Sequence, residues 1–327
     1  MEIKIISQKE VEELNIPMSE VISVVESGLK SKGEGSNEMP AKTGIHPRQN
    51  SFIHAMPCWV GGNTDYAGIK WVSGYPANPS RGLPYIMGIW CLNDPETGML
   101  KAIMDANWMT AWRTGAASGV CAKYLADPAS DTIAIIGLGV QARTNLMAMN
   151  EVLKNLKIVK VYDIFDKQIE KFTTEMSKTF PHLRFISCKD TKETVSSADV
   201  IITCTPVIEK PEPSIKAEWL KNDVLTISVD HDAAYENEVM TEADIFVCDD
   251  MNQYLWMQNE KVSFHHGYPV KEKIYADMGQ VVAGKKEAIK KGRRSAVLMG
   301  IACHDVMTGH LIYKKAEKAG IGVTVNI

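Results

Sequence analysis

The stretch Thr132-Ile-Ala-Ile-Ile-Gly-Leu-Gly-Val-Gln-Ala142 constrains the fold of this chain more than any other. The apolar run Ile133 to Ile136 predicts a buried parallel strand. It leads straight into Gly137-x-Gly139-x-x-Ala142. Residues Arg143 to Leu156 then carry Leu146, Met149, Leu153 and Leu156 at helical spacing. Strand, glycine turn and helix together make a pyrophosphate cradle. Gly137 permits the sharp turn, Gly139 lets the backbone approach the phosphates, and Ala142 is small enough for close helix–strand packing. The helix N-terminus adds unpaired N–H groups and a positive dipole end. Gly137, Gly139, Val140 and Gln141 are therefore the expected cofactor-binding residues of this turn.

The next elements support a dinucleotide reading. Ile158-Val-Lys-Val-Tyr-Asp163 predicts a second strand ending in an acid, close to the ~20-residue spacing from the turn expected of a ribose-binding carboxylate. Asp163 would accept from both ribose hydroxyls of NAD and repel the extra phosphate of NADP. No arginine follows in Ile164-Phe165-Asp166, so NAD is favoured over NADP. The competing reading is an ordinary β–α turn with a polar strand end.

With 327 residues the chain is long enough for two domains and a large core. A net charge of −4 gives no basic footprint for nucleic acid. No apolar run approaches the ~20 residues of a membrane span. Met1-Glu-Ile-Lys-Ile-Ile is too short and too polar for a signal peptide. Seven cysteines without a CxxC pair predict reduced, buried thiols in a cytoplasmic protein, with neither a disulfide framework nor a metal site.

Along the chain, Ser7-x-x-Glu10 predicts a capping box opening a short helix. Ser19 opens a second helix, and Lys32 to Asn37 reads as a loop. From Met39 to about Trp90 the pattern is short strands and turns, with Ser51–Pro57, Ala67–Val72 and Tyr85–Leu92 as strands. Asn93 to Gly98 is a turn into a further strand, Met99–Met104. Thr110–Leu125 predicts a helix rich in small residues. After Asp163, strands and helices alternate through strands at Leu183–Ser187, Asp199–Thr205, Val224–Asp230 and Asp244–Asp249. A final helix is expected over about Arg294 to Ala319, returning to the first domain. The expectation is an α/β protein: a doubly wound Rossmann domain over 121–295, and an α+β substrate-binding and dimerisation domain, with a mainly antiparallel sheet, over 1–120 and 296–327.

Ligands of open α/β sheets sit outside the carboxyl ends of the strands, where Thr203, Thr205 and Asp230 fall. Asp230 suits a general acid/base for an amine or imine; the competing reading is a helix N-cap. Neighbouring His231 and Asp232 read as solvated loop residues, against the alternative of proton carriers. In the first domain, Lys70 interrupts an apolar strand and either snorkels to solvent or faces a cleft. Arg113, flanked by small residues, suits bidentate binding of a carboxylate or phosphate, against a surface salt bridge. Lys42 is a third cation, otherwise a solvated loop lysine.

Taken together, Gly68-Ile-Lys-Trp-Val-Ser, Gly82-Leu-Pro, Asp94-Pro-Glu-Thr-Gly, Thr110-Ala-Trp-Arg-Thr-Gly-Ala-Ala-Ser, Ile136-Gly-Leu-Gly-Val-Gln-Ala-Arg and Gly279-Gln-Val-Val-Ala-Gly resemble the ornithine cyclodeaminase/μ-crystallin family over nearly the whole chain. The resemblance implies an NAD(P)-binding homodimer whose first domain supplies the substrate site and the dimer sheet. It implies that Lys70 and Arg113 meet the substrate carboxylate and cofactor, that Lys42 or nearby Arg48 is a third carboxylate ligand, that Asp230 is the acid/base, and that Thr114 sits near the cofactor phosphates. Ornithine-cyclising members carry a glutamate two residues before Met-Pro, which can hold a distal ammonium. Here that place before Met56-Pro57 is His54, a poor partner for an ammonium. Their Asp-x-Pro-Gly-Lys stretch is also replaced, by Asp230-His-Asp-Ala-Ala-Tyr235.

These features predict an NAD-dependent oxidoreductase acting at the Cα–N bond of a small amino acid or its imine, with Asp230 and Lys70 catalytic and Lys42, Lys70, Arg113 and His54 at the substrate. Thr114, Thr203, Thr205 and Asp163 join the glycine turn at the cofactor. Two alternatives use the same residues: an ornithine cyclodeaminase-type ammonia lyase with catalytic NAD, and a non-catalytic NAD(P)H-binding protein of the crystallin kind.

Overall fold

A computed structural model describes residues 2–208 and 210–326. The chain forms two compact units, one running to Arg113 and resuming at Ile301, the other Thr114–Gly300.

The first unit opens with β1 (Glu2–Ile6) and α1 (Gln8–Glu13), at whose start Ser7 and Glu10 form the predicted capping box. Next, α2 (Met18–Glu34) buries Val21, Ile22, Val25 and Leu29. It runs through Lys32 into the stretch expected as a loop and stops at Gly35, whose φ of 85° is the left-handed cap that glycine adopts without strain. Short β2 (Asn37–Glu38) and β3 (Thr43–Ile45) precede the long β4 (Phe52–Val60), β5 (Tyr66–Gly74), β6 (Ile86–Asn93) and β7 (Leu100–Asp105). Then α3 (Asn107–Leu125) leaves this unit after Arg113.

In the second unit the alternation is regular: β8 (Thr132–Ile136), α4 (Val140–Val152), β9 (Ile158–Tyr162), α5 (Asp166–Thr179), β10 (Arg184–Ser187), α6 (Thr191–Val195), β11 (Val200–Thr203), β12 (Val224–Ser228), α7 (Asn237–Thr241), β13 (Ile245–Cys248), α8 (Met251–Asn259), β14 (Ala276–Asp277), α9 (Met278–Val282) and β15 (Arg293–Val297). Back in the first unit, the chain ends with α10 (Ala302–Ala319) and β16 (Val323–Asn326).

The second unit's sheet is parallel throughout, in the order β10-β9-β8-β11-β12-β15-β13-β14. Strand order reverses between β8 and β11, so the loops leaving these neighbours diverge and open a crevice at the carboxyl edge. The helix expected from Arg294 instead begins at Ala302, and Arg293–Val297 is a central strand. Val297 and Ile301, four residues apart, mimic helical spacing. Arg294 is buried in the strand, where its guanidinium pairs with Asp223 at 2.7 Å and reaches the Lys290 carbonyl. All seven cysteines are free thiols. Small residues on α3 are required by packing: a Cβ on Gly115 would lie 2.4 Å from the Thr144 carbonyl oxygen of α4.

The first unit's sheet runs β16-β1-β7-β6-β5-β4-β2, with β3 also on β4, and is antiparallel except between β1 and β7. On one face, α10 packs across β4, β5 and β6. The opposite face leaves Trp59, Trp71 and Ile89 exposed on those same three strands. Among the described residues no helix is long and apolar enough to cross a membrane.

Candidate active site

Lys70 sits mid-way along β5, opposite Met56 on β4 and Trp90 on β6. The pleat turns Gly68, Lys70, Val72 and Gly74 to the buried face. Lys70 therefore does not snorkel; it is fully buried and donates from Nζ to Asp305 Oδ1 at 2.8 Å. Arg113, buried on α3, brings Nε to 2.9 Å from the same oxygen. Asp305 lies in the first turn of α10, where the helix dipole favours an acid. It is absent from the residues expected above: one acid in a helical repeat reads as surface unless its partners are known. Burial and the nearby Arg113 guanidinium push the Lys70 ammonium down to about 7, against the pull of Asp305.

Other cations of the first unit stand nearer to or farther from this triad. Lys42, in the loop between β2 and β3, is close enough to act electrostatically on both Lys70 and His54. Arg48 is exposed and donates from Nη1 to the Pro47 carbonyl. It lines a cavity of about 690 Å³ together with Tyr75, Asn78 and Arg81. His54 stacks on Phe52, with ring centroids 4.3 Å apart, and meets His46 edge-on. Burial first, then the charges of Lys42, His46 and Lys70, press it down to about 3, so it is a neutral imidazole at physiological pH.

In the second unit Asp230 follows β12 by two residues and is buried. Thr203 donates to Oδ1 at 2.5 Å, and Thr205 donates to Oδ2 from its backbone N–H at 2.9 Å and its hydroxyl at 2.6 Å. Ser228 Oγ lies 3.0 Å from Oδ1 and also bonds the His231 carbonyl. A hydroxyl has one proton. With that proton given to His231, Ser228 can accept from a protonated Asp230, so the network suits both protonation states. Burial raises the Asp230 carboxyl above the ordinary carboxylate range, and the hydroxyl and N–H donors offset part of the rise. Thr203 and Thr205 thus support Asp230. Thr205 is only half-buried, and Cys204 between them donates from its N–H to the Ile136 carbonyl beside the glycine turn. His231 and Asp232 are not solvated. His231 is buried at φ 61° near Ser263 and Phe264, and Asp232 accepts from the Phe264 N–H at 2.8 Å.

The glycine turn fits a dinucleotide. Gly137 has φ 83°, and a Cβ there would lie 2.7 Å from the Cys204 carbonyl oxygen. Above Gly139 a Cβ would meet nothing within 4 Å, so the approach is open. No side chain caps α4 and its first turn, from Val140 and Gln141, holds no acid, which leaves the site electropositive. Asp163 Oδ2 accepts from the Leu138 N–H at 2.8 Å and Oδ1 from the Phe165 N–H, tying the acid to the turn. Thr114 is buried on α3, and its carbonyl faces the Ser118 hydroxyl. Among the described residues no group of three His, Cys, Asp or Glu could hold a metal ion.

The model of the ornithine cyclodeaminase/mu-crystallin family matches residues 1–320. The chain belongs to that family. It is 34% identical to an alanine dehydrogenase of Archaeoglobus fulgidus over 98% of both chains. Among solved structures, an archaeal alanine dehydrogenase dimer with bound NAD superposes with a TM-score of 0.89, at 31% identity over the whole of both chains. A Δ1-pyrroline-2-carboxylate reductase of Thermococcus litoralis, in complex with NADH and L-proline, gives 0.87 at 32% identity over 99% of this chain and all of the other. A Rossmann unit joined to a second, mainly antiparallel unit is thus the architecture this family member shares with NAD-binding relatives.

Proposed function

We propose that this family member is an NAD-dependent oxidoreductase acting at the Cα–N bond of a small amino acid or its imine. The observation that carries the reading is Asp230: a buried, proton-accepting carboxyl anchored through Thr203 and Thr205 next to the dinucleotide turn. Gly137, Gly139, Val140, Gln141, Asp163 and Thr114 would hold NAD, which supplies the hydride acceptor or donor when bound. The relatives with NAD or NADH in their structures support that choice, and Asp163 without a following arginine disfavours NADP.

The protein's own groups divide the remaining work. Lys70 and Arg113, with Lys42, bind the substrate carboxylate and fix the orientation of Cα. Asp230 takes the proton of the amine as the Cα–N bond is oxidised and passes it through the half-buried Thr205 hydroxyl. In its charged form it then activates water against the imine; in the reverse direction it donates the proton to the nitrogen. Neutral His54 presents a hydrogen-bonding edge rather than a charge to the rest of the substrate. An amino acid with a distal ammonium meets His54 in place of the glutamate of ornithine-cyclising members, which speaks against cyclodeamination. The exposed Trp59, Trp71 and Ile89 form an apolar face suited to a second copy of the chain, and the archaeal alanine dehydrogenase relative is a dimer.

The test is purified protein with NAD and NADP, a panel of α-amino acids including alanine, proline, ornithine and lysine, and absorbance at the reduced-cofactor band read alongside ammonia release. The expected result is NADH formed with a small amino acid, and far less NADPH. Ammonia from ornithine or lysine without net NADH would establish the lyase instead. Tight NADH binding with no turnover of any substrate, tested in both directions, would establish the binding protein.

A further inference from the structure

Among the described residues Asp305 is the one carboxylate paired with Lys70 and Arg113, and its geometry is unusual. Both cations converge on Oδ1, at 2.8 and 2.9 Å, while Oδ2 is buried without a hydrogen-bond partner among the described residues. We propose that Asp305 is a positioning residue that clamps Lys70 and Arg113 into one rigid anion-binding pair and keeps Lys70 protonated for it. The proposal deepens the amino-acid reading above and rests on it for the identity of the anion, a carboxylate.

Three consequences of the geometry support the clamp. First, Arg113 Nε stands 2.9 Å from Asp305 Oδ1 as an ion-pair contact without a hydrogen bond, so Asp305 holds the guanidinium by charge at its Nε edge, and the terminal Nη1–Nη2 fork is the bidentate face that a substrate carboxylate would take. Second, sharing one oxygen draws the two cations together at a separation that their mutual repulsion would otherwise widen. Third, the charges of the triad sum to one positive, which a single substrate carboxylate neutralises in a buried place where an unpaired charge is costly.

Among the described residues, the other groups near Lys70 leave Asp305 as its only counter-charge. From α3 comes the Arg113 guanidinium. From the loop before β3 comes the Lys42 ammonium. From β4 comes neutral His54; Cys58 of the same strand feels Asp305, and burial together with that charge pushes its thiol up to about 12. From α10, beside Asp305, comes His304, fully buried, with neither ring nitrogen hydrogen-bonded, and held neutral by burial and the charges of Arg113, Lys32 and Lys70. Without Asp305, Lys70 would stand among like charges and apolar walls and would shed its proton.

The test is the pH titration of the Lys70 ¹³Cε resonance in lysine-labelled protein, assigned by its loss in Lys70→Met, for wild type, Asp305→Asn and Asp305→Glu. Asp305→Asn keeps the shape and removes the charge. The expected result is a midpoint lowered by about one to three pH units, with kcat/KM at pH 7 reduced about 100-fold, chiefly through KM, and NADH affinity unchanged. Asp305→Glu restores the charge and is expected to keep the wild-type midpoint with a smaller rise in KM. It also decides the matter if the asparagine variant does not fold. A folded Asp305→Asn with the wild-type midpoint, or an Asp305→Glu midpoint displaced as far as expected for asparagine, would overturn the clamp. The titration needs no substrate, so if no amino acid or imine is turned over, the enzyme reading fails while the fate of Asp305 is still read.

Discussion

Asp230→Asn is expected to lower kcat by about 10²–10⁴-fold, the range for loss of a positioned acid/base, while NADH binding, followed by its fluorescence, stays at the wild-type level. The amide is the same size: its single oxygen can still accept from the Thr205 N–H and hydroxyl, and its NH2 group takes the Oδ1 position, where the Thr203 and Ser228 hydroxyls can turn to accept. It can neither take up nor release a proton at the pH of the reaction. The effect should therefore fall on kcat and leave KM little changed, the pattern of an interaction made only in the transition state. The pH profile carries the same information. Because burial raises the Asp230 carboxyl, the charged base required for amino-acid oxidation is lost as pH falls through that raised value. The acid limb of wild-type kcat should lie above the ordinary carboxylate range and disappear in the variant. A variant with full turnover and only weakened cofactor binding would make Asp230 a structural anchor of the turn.

Arg113→Lys is expected to raise KM for the amino acid about 100-fold with a smaller loss in kcat, because a carboxylate's charge-assisted contacts are removed from a desolvated site. The change keeps the charge but removes the fork, and places a second ammonium against Lys70. Wild-type KM should itself depend on pH. Lys70 is lowered to about 7, so its ammonium is present below that pH and is lost as pH rises through it. The KM of wild type should therefore climb on the alkaline side, while a bound carboxylate, favouring the charged form, protects kcat. An Arg113→Lys enzyme with wild-type KM would show that the carboxylate is held elsewhere.

The nucleotide half of the molecule was legible because its signals are local. A four-residue apolar strand, a glycine turn and an acid ending the next strand each follow from neighbours in sequence, and β8, α4, β9 and Asp163 stand where that pattern puts them. The triad half was legible only in part. Lys70 and Arg113 stand out as cations among apolar or small residues. Asp305 does not, because it reaches Lys70 across more than two hundred residues of chain. The strand Arg293–Val297 escapes the local pattern for a similar reason: its buried arginine is satisfied by Asp223, a partner distant in sequence. The burial of His231 and Asp232 likewise depends on the distant segment around Phe264 that covers them.

The central claim is that oxidation takes place at Cα with net reduction of the cofactor. Its most direct measurement is transfer of label: α-amino acids deuterated at Cα, incubated with the protein and NAD, and the reduced cofactor and amino-acid products examined by mass spectrometry. The account predicts deuterium in NADH, in amounts equal to the keto acid or imine formed. Deuterium returned to the Cα of a cyclised product, with ammonia released and no net NADH, would contradict it.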